Sequence, residues 1–294
     1  MIGLVLAILA GIAIITATYF DFKDRKREIP NWLTWGLVVV GLFGHAIKSI
    51  VELSPWPFLY SLGAAAIFFA IANITFYAGV WGGGDAKLFI GVAAAVPIYP
   101  AALLSKLSPA MAPWPFLLSL VMNILVLGVA YGMLYQLIFA VVKWKPFSRT
   151  FSSNAIRYKL HYSVFALLAI PLIKLIDKPI ASLATTLLLV IPVAHLLFIF
   201  AKATEKILIF EQKVSNLVPG DRPIKNIMCA GKIIYRHRKI GLIEEDIAKI
   251  KAACGTTSKI PVRDGIPYVP AFLFGLLFTL IAGDLIAIIA SSML

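Results

Sequence analysis

Charge is scarce in this 294-residue chain: 14% of its residues are Asp, Glu, Lys or Arg, where an ordinary soluble domain carries about 25%. With 61% apolar residues and a mean hydropathy of +0.92, that scarcity excludes a disordered, solvated chain. Cysteine is scarcer still. Cys229 and Cys254 are the only two, which excludes a disulfide-stapled secreted fold, and both are expected to be reduced thiols. Acidic residues are outnumbered 14 to 27 by basic ones. No basic n-region precedes the first apolar run, so residues 2–20 are expected to be a retained helix and not a cleaved signal peptide. Internal repeats and low-complexity tracts are also lacking.

What remains is a series of apolar stretches near the roughly 20 residues needed to cross about 30 Å of hydrocarbon. They are 2–20, 32–52, 57–79, 86–104, 115–142, 179–201 and 268–292, with a shorter one at 162–176 interrupted by Pro171 and Lys174. Basic residues gather in three segments, 22–31, 143–161 and 202–267, which hold 22 of the 27. The positive-inside rule places all three in the cytoplasm. The basic excess is therefore a topology signal with some affinity for anionic lipid headgroups, and nucleic-acid binding is not expected. Because 143–161 and 202–267 share a side, the chain between them crosses an even number of times. The expected fold is an all-α polytopic membrane protein of six to eight transmembrane helices: eight if 162–201 crosses twice, six if it is re-entrant. The length of 179–201 favours eight. Residues 1–142 form the transmembrane core, 143–201 a basic cytosolic loop and a helical hairpin, 202–267 a small cytosolic α/β insertion, and 268–294 the last transmembrane helix. Within the insertion, residues 241–255 read as an amphipathic helix stopped by Gly255, and 231–239 as a strand.

Ionisable groups at membrane depth are costly, so each needs a reason. Asp21 closes the first apolar run, in Tyr19-Phe-Asp-Phe-Lys-Asp-Arg-Lys-Arg-Glu-Ile-Pro-Asn-Trp32. Asp85 closes Trp81-Gly-Gly-Gly-Asp85, between the third and fourth stretches. By the topology above both lie at the cytoplasmic membrane surface, 64 residues apart in sequence and level in depth. Taken alone, Asp21 is an interfacial residue of a charged loop, and Gly82–Asp85 is a tight turn whose aspartate caps the next helix. The combination says more: an aspartate, a basic loop ending Ile29-Pro30-Asn31, then Gly82-Gly83-Gly84-Asp85-Ala86-Lys87-Leu88 opening an apolar helix.

Those pieces resemble the Gly-x-Gly-Asp aspartic peptidases of the bilayer, and among them the type IV prepilin and preflagellin leader peptidases. The last segment, Gly265-Ile-Pro-Tyr-Val-Pro-Ala-Phe-Leu-Phe-Gly275 with Gly283-Asp-Leu285, is similar to the ends of archaeal members. The resemblance implies a membrane aspartic endopeptidase that removes a short basic leader from prepilin-like or preflagellin precursors. It implies Asp21 and Asp85 as catalytic residues, Gly82, Gly83 and Gly84 as the backbone of the catalytic loop, and no metal or other cofactor. Asp24 is a secondary candidate, because the interval from Asp21 to Ile29 is longer than is usual in that family, and Lys87 is another, as a charge that could bias the aspartate pair. Bacterial relatives carry an N-terminal four-cysteine zinc domain and methylate the new N-terminus; neither is expected here. Presenilin-like proteases share Gly-x-Gly-Asp without the Ile-Pro-Asn loop and give one alternative reading. A transporter whose glycine-rich turn binds an ion gives another, which a pair of interrupted spans in symmetric halves would favour.

Two aspartates suit peptide hydrolysis. One ionised carboxylate takes a proton from water while one protonated carboxyl polarises the carbonyl, and two close carboxylates cannot both stay charged where solvation is poor. Asp85 opens a helix, where the dipole favours a carboxylate, and Asp21 closes one, so Asp85 is expected to be the base and Asp21 the acid. Lys87 is expected to bind headgroups. Asp284, deep in an apolar run, is expected to have a structural partner such as Lys174. His45 and His195 are expected to be satisfied within the helices, and Asn73 and Asn123 to bond between helices.

Overall fold

The structure, a computed structural model, describes residues 1–23, 29–79, 81–168, 178–238 and 241–293. Asp24 and Lys174 lie outside these residues. The chain divides into two compact units: residues 1–132, 212–260 and 265–294 form the first, and residues 133–211 and 261–264 the second.

The first unit begins with α1 (Ile2–Lys23), α2 (Asn31–Val51) and α3 (Trp56–Tyr77). With α6 (Phe116–Val142), these are the helices long and apolar enough to cross a membrane among the described residues. The chain is a helix-rich, multi-pass membrane protein with a small sheet region. On α1 the buried positions include Ala7, Ala10, Ile14, Ala17 and Asp21, spaced three and four apart, with Leu6 and Ala13 beside them. Small side chains on one stripe let neighbouring helices approach closely where lipid offers no hydrophobic drive to association.

Between these helices runs α4 (Gly83–Ala95), in which Ala86 and every residue from Leu88 to Ala95 are buried. It is apolar on all sides because protein surrounds it. Close approach to α2 is built on glycine. A Cβ on Gly41 would lie 2.7 Å from the carbonyl carbon of Ala94, and one on Gly91 would lie 3.1 Å from the Thr34 carbonyl oxygen.

The sequence reading of 86–104 as one span is not what forms. The helix stops at Ala95, ahead of Pro97 and Pro100, and resumes as the short α5 (Ala101–Leu107). A helix end away from water needs partners for its last carbonyls. Ser61 Oγ donates to the Ala94 carbonyl at 2.6 Å, and His45 Nε2 lies 3.1 Å from the Ala95 carbonyl. The last apolar stretch is broken in the same way, into α11 (Val269–Ile281) and α12 (Leu285–Met293). At the break, Gly283 has φ +95°, and a Cβ there would sit 2.2 Å from the Ala110 oxygen. Asn123 fills this break: its Nδ2 donates to the Thr279 hydroxyl and the Gly283 carbonyl, and its Oδ1 accepts from the Leu285 N–H at 3.1 Å. Two spans are thus interrupted where the sequence showed none, and side chains of the same unit fill both interruptions.

The polar part of the first unit holds a hairpin, β1 (Ile227–Cys229) and β2 (Lys232–Tyr235), antiparallel with Cys229 opposite Lys232. Its two-residue turn, Ala230-Gly231, has positive φ at both positions. The amphipathic helix read in the sequence forms as α10 (Glu244–Cys254), burying Ile247 and Ile250, and Gly255 follows at φ +71°. Cys254 is joined to Cys229 in a disulfide with Cα atoms 5.3 Å apart. The expectation of two reduced thiols is therefore corrected: the end of α10 folds back onto the end of β1, and this brings together residues 25 apart in sequence.

The second unit holds α7 (Trp144–Arg157), α8 (His161–Leu168) and α9 (Lys178–Ile207). The basic segment expected as a loop is mostly helix α7, which buries Phe147 against Phe200 of α9 with ring centres 5.5 Å apart. His195 on α9 meets the Ser163 hydroxyl of α8 at 2.6 Å, the satisfied histidine that was expected. Beyond the apolar run of α9, Glu205 bonds Lys202 at 2.9 Å and Arg263 at 2.7 Å.

Candidate active site

The two aspartate motifs meet in the first unit. Ile29 is buried, and its side chain leaves no room beside Gly84, where a Cβ would come within 3.1 Å of it. Lys87 Nζ donates to Asn31 Oδ1 at 2.8 Å. The Ile-Pro-Asn end of the basic loop is thereby fastened to the first turn of α4. Lys87, expected to bind headgroups, has a protein partner in Asn31.

Asp85 stands at N3 of α4, and its Oδ2 accepts from the N–H of Gly82 at 3.2 Å. The bland reading of the motif is thus partly realised, since the aspartate caps its own helix. Its side chain is half-buried. Trp81, just before the glycines, is buried with its ring centre 4.7 Å from Phe89 and 5.9 Å from Phe272. Edge-on aromatic packing of this kind fixes where the glycine turn leaves the protein interior.

Asp21 lies at the end of the α1 stripe and is only 6% exposed. Its Oδ2 faces the N–H of Val269, the first residue of α11, at 3.4 Å. Tyr268, the residue before Val269, lies within electrostatic reach of Asp85. The start of α11 thus faces Asp21 directly and feels the charge of Asp85. Sequence reasoning missed this corner; the signal was Pro270, which marks a helix start just after a tyrosine. The contact changes one physical argument. Asp21 faces the positive end of α11 as Asp85 faces that of α4, so helix dipoles no longer separate the two carboxyls.

Residues 8–141 of the chain, which hold α1 to α4 and both aspartates, can be set beside known proteins. They match the type IV leader peptidase family. The chain is 33% identical over 117 residues to the prepilin peptidase EppA of Methanothermobacter thermautotrophicus, covering 38% of this chain and 30% of that protein. It is 31% identical over 98 residues to the preflagellin peptidase of Methanococcus voltae, covering 33% of this chain and 41% of that one. A preflagellin peptidase of Methanocaldococcus jannaschii is 29% identical over 92 residues, 31% of this chain and 38% of that protein. The match thus spans less than half the length of these relatives. No solved structure matches the chain.

The other singled-out residues have structural roles. Asp284, 2% exposed, accepts from the Trp114 indole N–H at 3.0 Å and from the Ala287 N–H at 2.8 Å, which caps α12. Its expected partner, Lys174, is outside the described residues. Asn123 bonds between helices as expected, whereas Asn73 donates to the Phe69 carbonyl of its own helix at 2.7 Å. His45 is satisfied at Nε2 only; its Nδ1 is buried without a partner among the described residues. Among the described residues, no three His, Cys, Asp or Glu side chains cluster as metal ligands.

Proposed function

We propose that this chain is a membrane aspartic endopeptidase that removes the short basic leader of prepilin-like or preflagellin precursors at the cytoplasmic membrane face. The observation that carries the reading is the fastening of the Ile29-Pro30-Asn31 loop to the first turn of α4, with the N–H that starts α11 facing Asp21. A family match over residues 8–141, which hold both aspartates and the Ile-Pro-Asn loop, supports it.

In the proposed reaction water is the nucleophile. Its oxygen adds to the scissile carbonyl carbon while Asp85, the more open carboxylate, takes one of its protons. Asp21, the more buried carboxyl, gives its proton to the carbonyl oxygen, and a gem-diol forms. The C–N bond then breaks, the leaving nitrogen takes the proton held by Asp85, and one diol hydroxyl returns its proton to Asp21. Both carboxyls end as they began, and neither a metal nor an N-methyltransferase step enters. Gly82–Gly84 admit an extended substrate segment to the backbone. Substrate geometry supports the depth: a basic leader followed by a hydrophobic helix places their junction at the membrane surface. The proposed setting is a cell membrane crossed eight times, with 143–161 and 202–267 inside, lipid headgroups on the basic segments and no nucleic acid.

The test is co-expression with a precursor bearing a basic leader, followed by N-terminal sequencing of the product. Wild type is expected to cut, while Asp21→Asn and Asp85→Asn accumulate uncut precursor at normal expression. Asp24→Asn is expected to cut. An active Asp21→Asn beside a dead Asp24→Asn would move the first carboxylate to residue 24.

A further inference from the structure

Tyr268 is held at the site from three sides. Its ring meets Phe272 edge-on with centres 6.0 Å apart, which joins it to the aromatic group of Phe89 and Trp81 under the glycine turn. Its hydroxyl occupies the space beside Gly128 of α6, where a Cβ would lie 2.0 Å from the oxygen; any side chain at 128 would displace the ring. The next backbone N–H, that of Val269, faces the Asp21 carboxylate. The side chain is partly exposed, and its hydroxyl forms no hydrogen bond among the described residues. A buried structural tyrosine pairs its hydroxyl. This one has no partner among the described residues, in a position fixed by packing and one residue from the N–H that faces Asp21.

We propose that the Tyr268 hydroxyl is a third group acting on the substrate, donating a hydrogen bond to the scissile carbonyl oxygen as water adds to its carbon. The proposal rests on the peptidase reading above. No proton is transferred to or from the phenol. As the carbonyl π pair moves onto oxygen, the phenol O–H shortens its contact with that oxygen while Asp21 delivers the proton. A donor aimed at developing charge acts mainly in the transition state, because its position is paid for in folding and not during the reaction. The same geometry accounts for the glycine at 128, where any Cβ would collide with this oxygen.

The experiment is steady-state cleavage of a purified basic-leader precursor by the full-length chain in detergent, comparing wild type with Tyr268→Phe. Phenylalanine keeps every ring contact, so thermal unfolding is expected to be unchanged. The expected result is a kcat lower by about 10- to 100-fold with KM within about twofold, the pattern of an interaction made only in the transition state. A fluorotyrosine at position 268 provides a second measurement with the ring shape kept. It makes the phenol a stronger donor, and its kcat is expected to depart from that of wild type, whereas a tyrosine serving only as packing leaves kcat unmoved. A Tyr268→Phe enzyme with wild-type kcat overturns the proposal, as does one that raises KM alone. A wild type that leaves every basic-leader precursor uncut overturns the peptidase reading, and this proposal with it.

Discussion

Helix α2 carries three glycines whose replacement by alanine should give three different results, ranked by what the new methyl meets. At Gly36 an added Cβ meets nothing within 4 Å. At Gly44 it lies 2.7 Å from Leu6 Cδ2, the far end of a side chain that can rotate away. At Gly41 it lies 2.7 Å from both the carbonyl carbon of Ala94 and the N of Ala95, and 2.9 Å from the Ala94 oxygen. These are backbone atoms, and carbon–carbon contact prefers about 3.5–4.0 Å, so α2 and α4 must part by about 1 Å. The carbonyls pushed away are those that accept from Ser61 and His45, so the displacement also loosens the end of α4. Gly41→Ala should therefore cost about 1–3 kcal/mol, Gly44→Ala about 1 kcal/mol or less, and Gly36→Ala should be neutral or stabilising by about 0.5–1 kcal/mol through restriction of the unfolded chain. Asp85 rides on α4, and a shift of about 1 Å in a reacting group can lower a rate by about 100-fold, so precursor cleavage should fall more steeply than stability. Unfolding of the three variants in one detergent, with cleavage rates beside it, gives the ranking. A Gly41→Ala protein that unfolds and cuts like Gly36→Ala would refute the close approach of the two helices.

Three further outcomes are expected. Glu205 is held below the ordinary carboxylate value of 4.5 by the hydrogen bond from Lys202, the largest effect; burial, the next, opposes it, and the charges of Arg263 and Lys202 lower it further. Its contribution to stability is thus complete above about pH 4.5 and lost as pH falls through the folded value; Glu205→Gln should flatten that part of an unfolding-versus-pH curve. Cleavage of a purified precursor should survive chelators, and a chelator that stops it would point to a metal site. Asp246 is already engaged, by the Ile243 N–H at 3.2 Å and by Arg238, which leaves Glu244 and Glu245 as the exposed acids of that run. If they dock a basic leader, Glu244→Gln with Glu245→Gln should slow cleavage of a lysine-bearing leader and spare one whose lysines are glutamine; equal losses would mean damage to the polar segment.

Apolar length made α1, α2, α3 and α6 legible, because crossing hydrocarbon needs a stated number of residues and little else. The alanine stripe ending in Asp21 was also there to read, and it separates a carboxylate facing the interior from one in a charged loop. The breaks at Val96 and Gly283 were not legible from composition, since a run of apolar residues looks the same whether continuous or bent. Pro97 and Pro100 gave notice of the first; the second depends on Asn123, more than 150 residues away, supplying its hydrogen bonds. Two cysteines alone carry no pairing information, so the Cys229–Cys254 link waited on the fold. The pairing of Lys87 with Asn31 needed the two motifs in one place, which only the resemblance foretold. Tyr268 had no motif to mark it: its importance lies in a glycine 140 residues earlier in the chain.

The burial of α4 has a consequence for how the chain answers to its lipid. Helices that touch acyl chains tilt or shift as hydrocarbon thickness changes, at a cost of a fraction of a kcal/mol per ångström of mismatch. A helix enclosed by protein on every side has no such match to keep. The depth of Asp85 is set by its register against Gly41 and Ile29, and its 13 residues, about 20 Å long, need not equal any lipid dimension. A carboxylate mounted this way keeps its place against α2 and the Ile-Pro-Asn loop when the surrounding membrane becomes thicker or thinner with growth temperature, and the outer helices, α1 with Asp21 among them, are the ones that have to adapt.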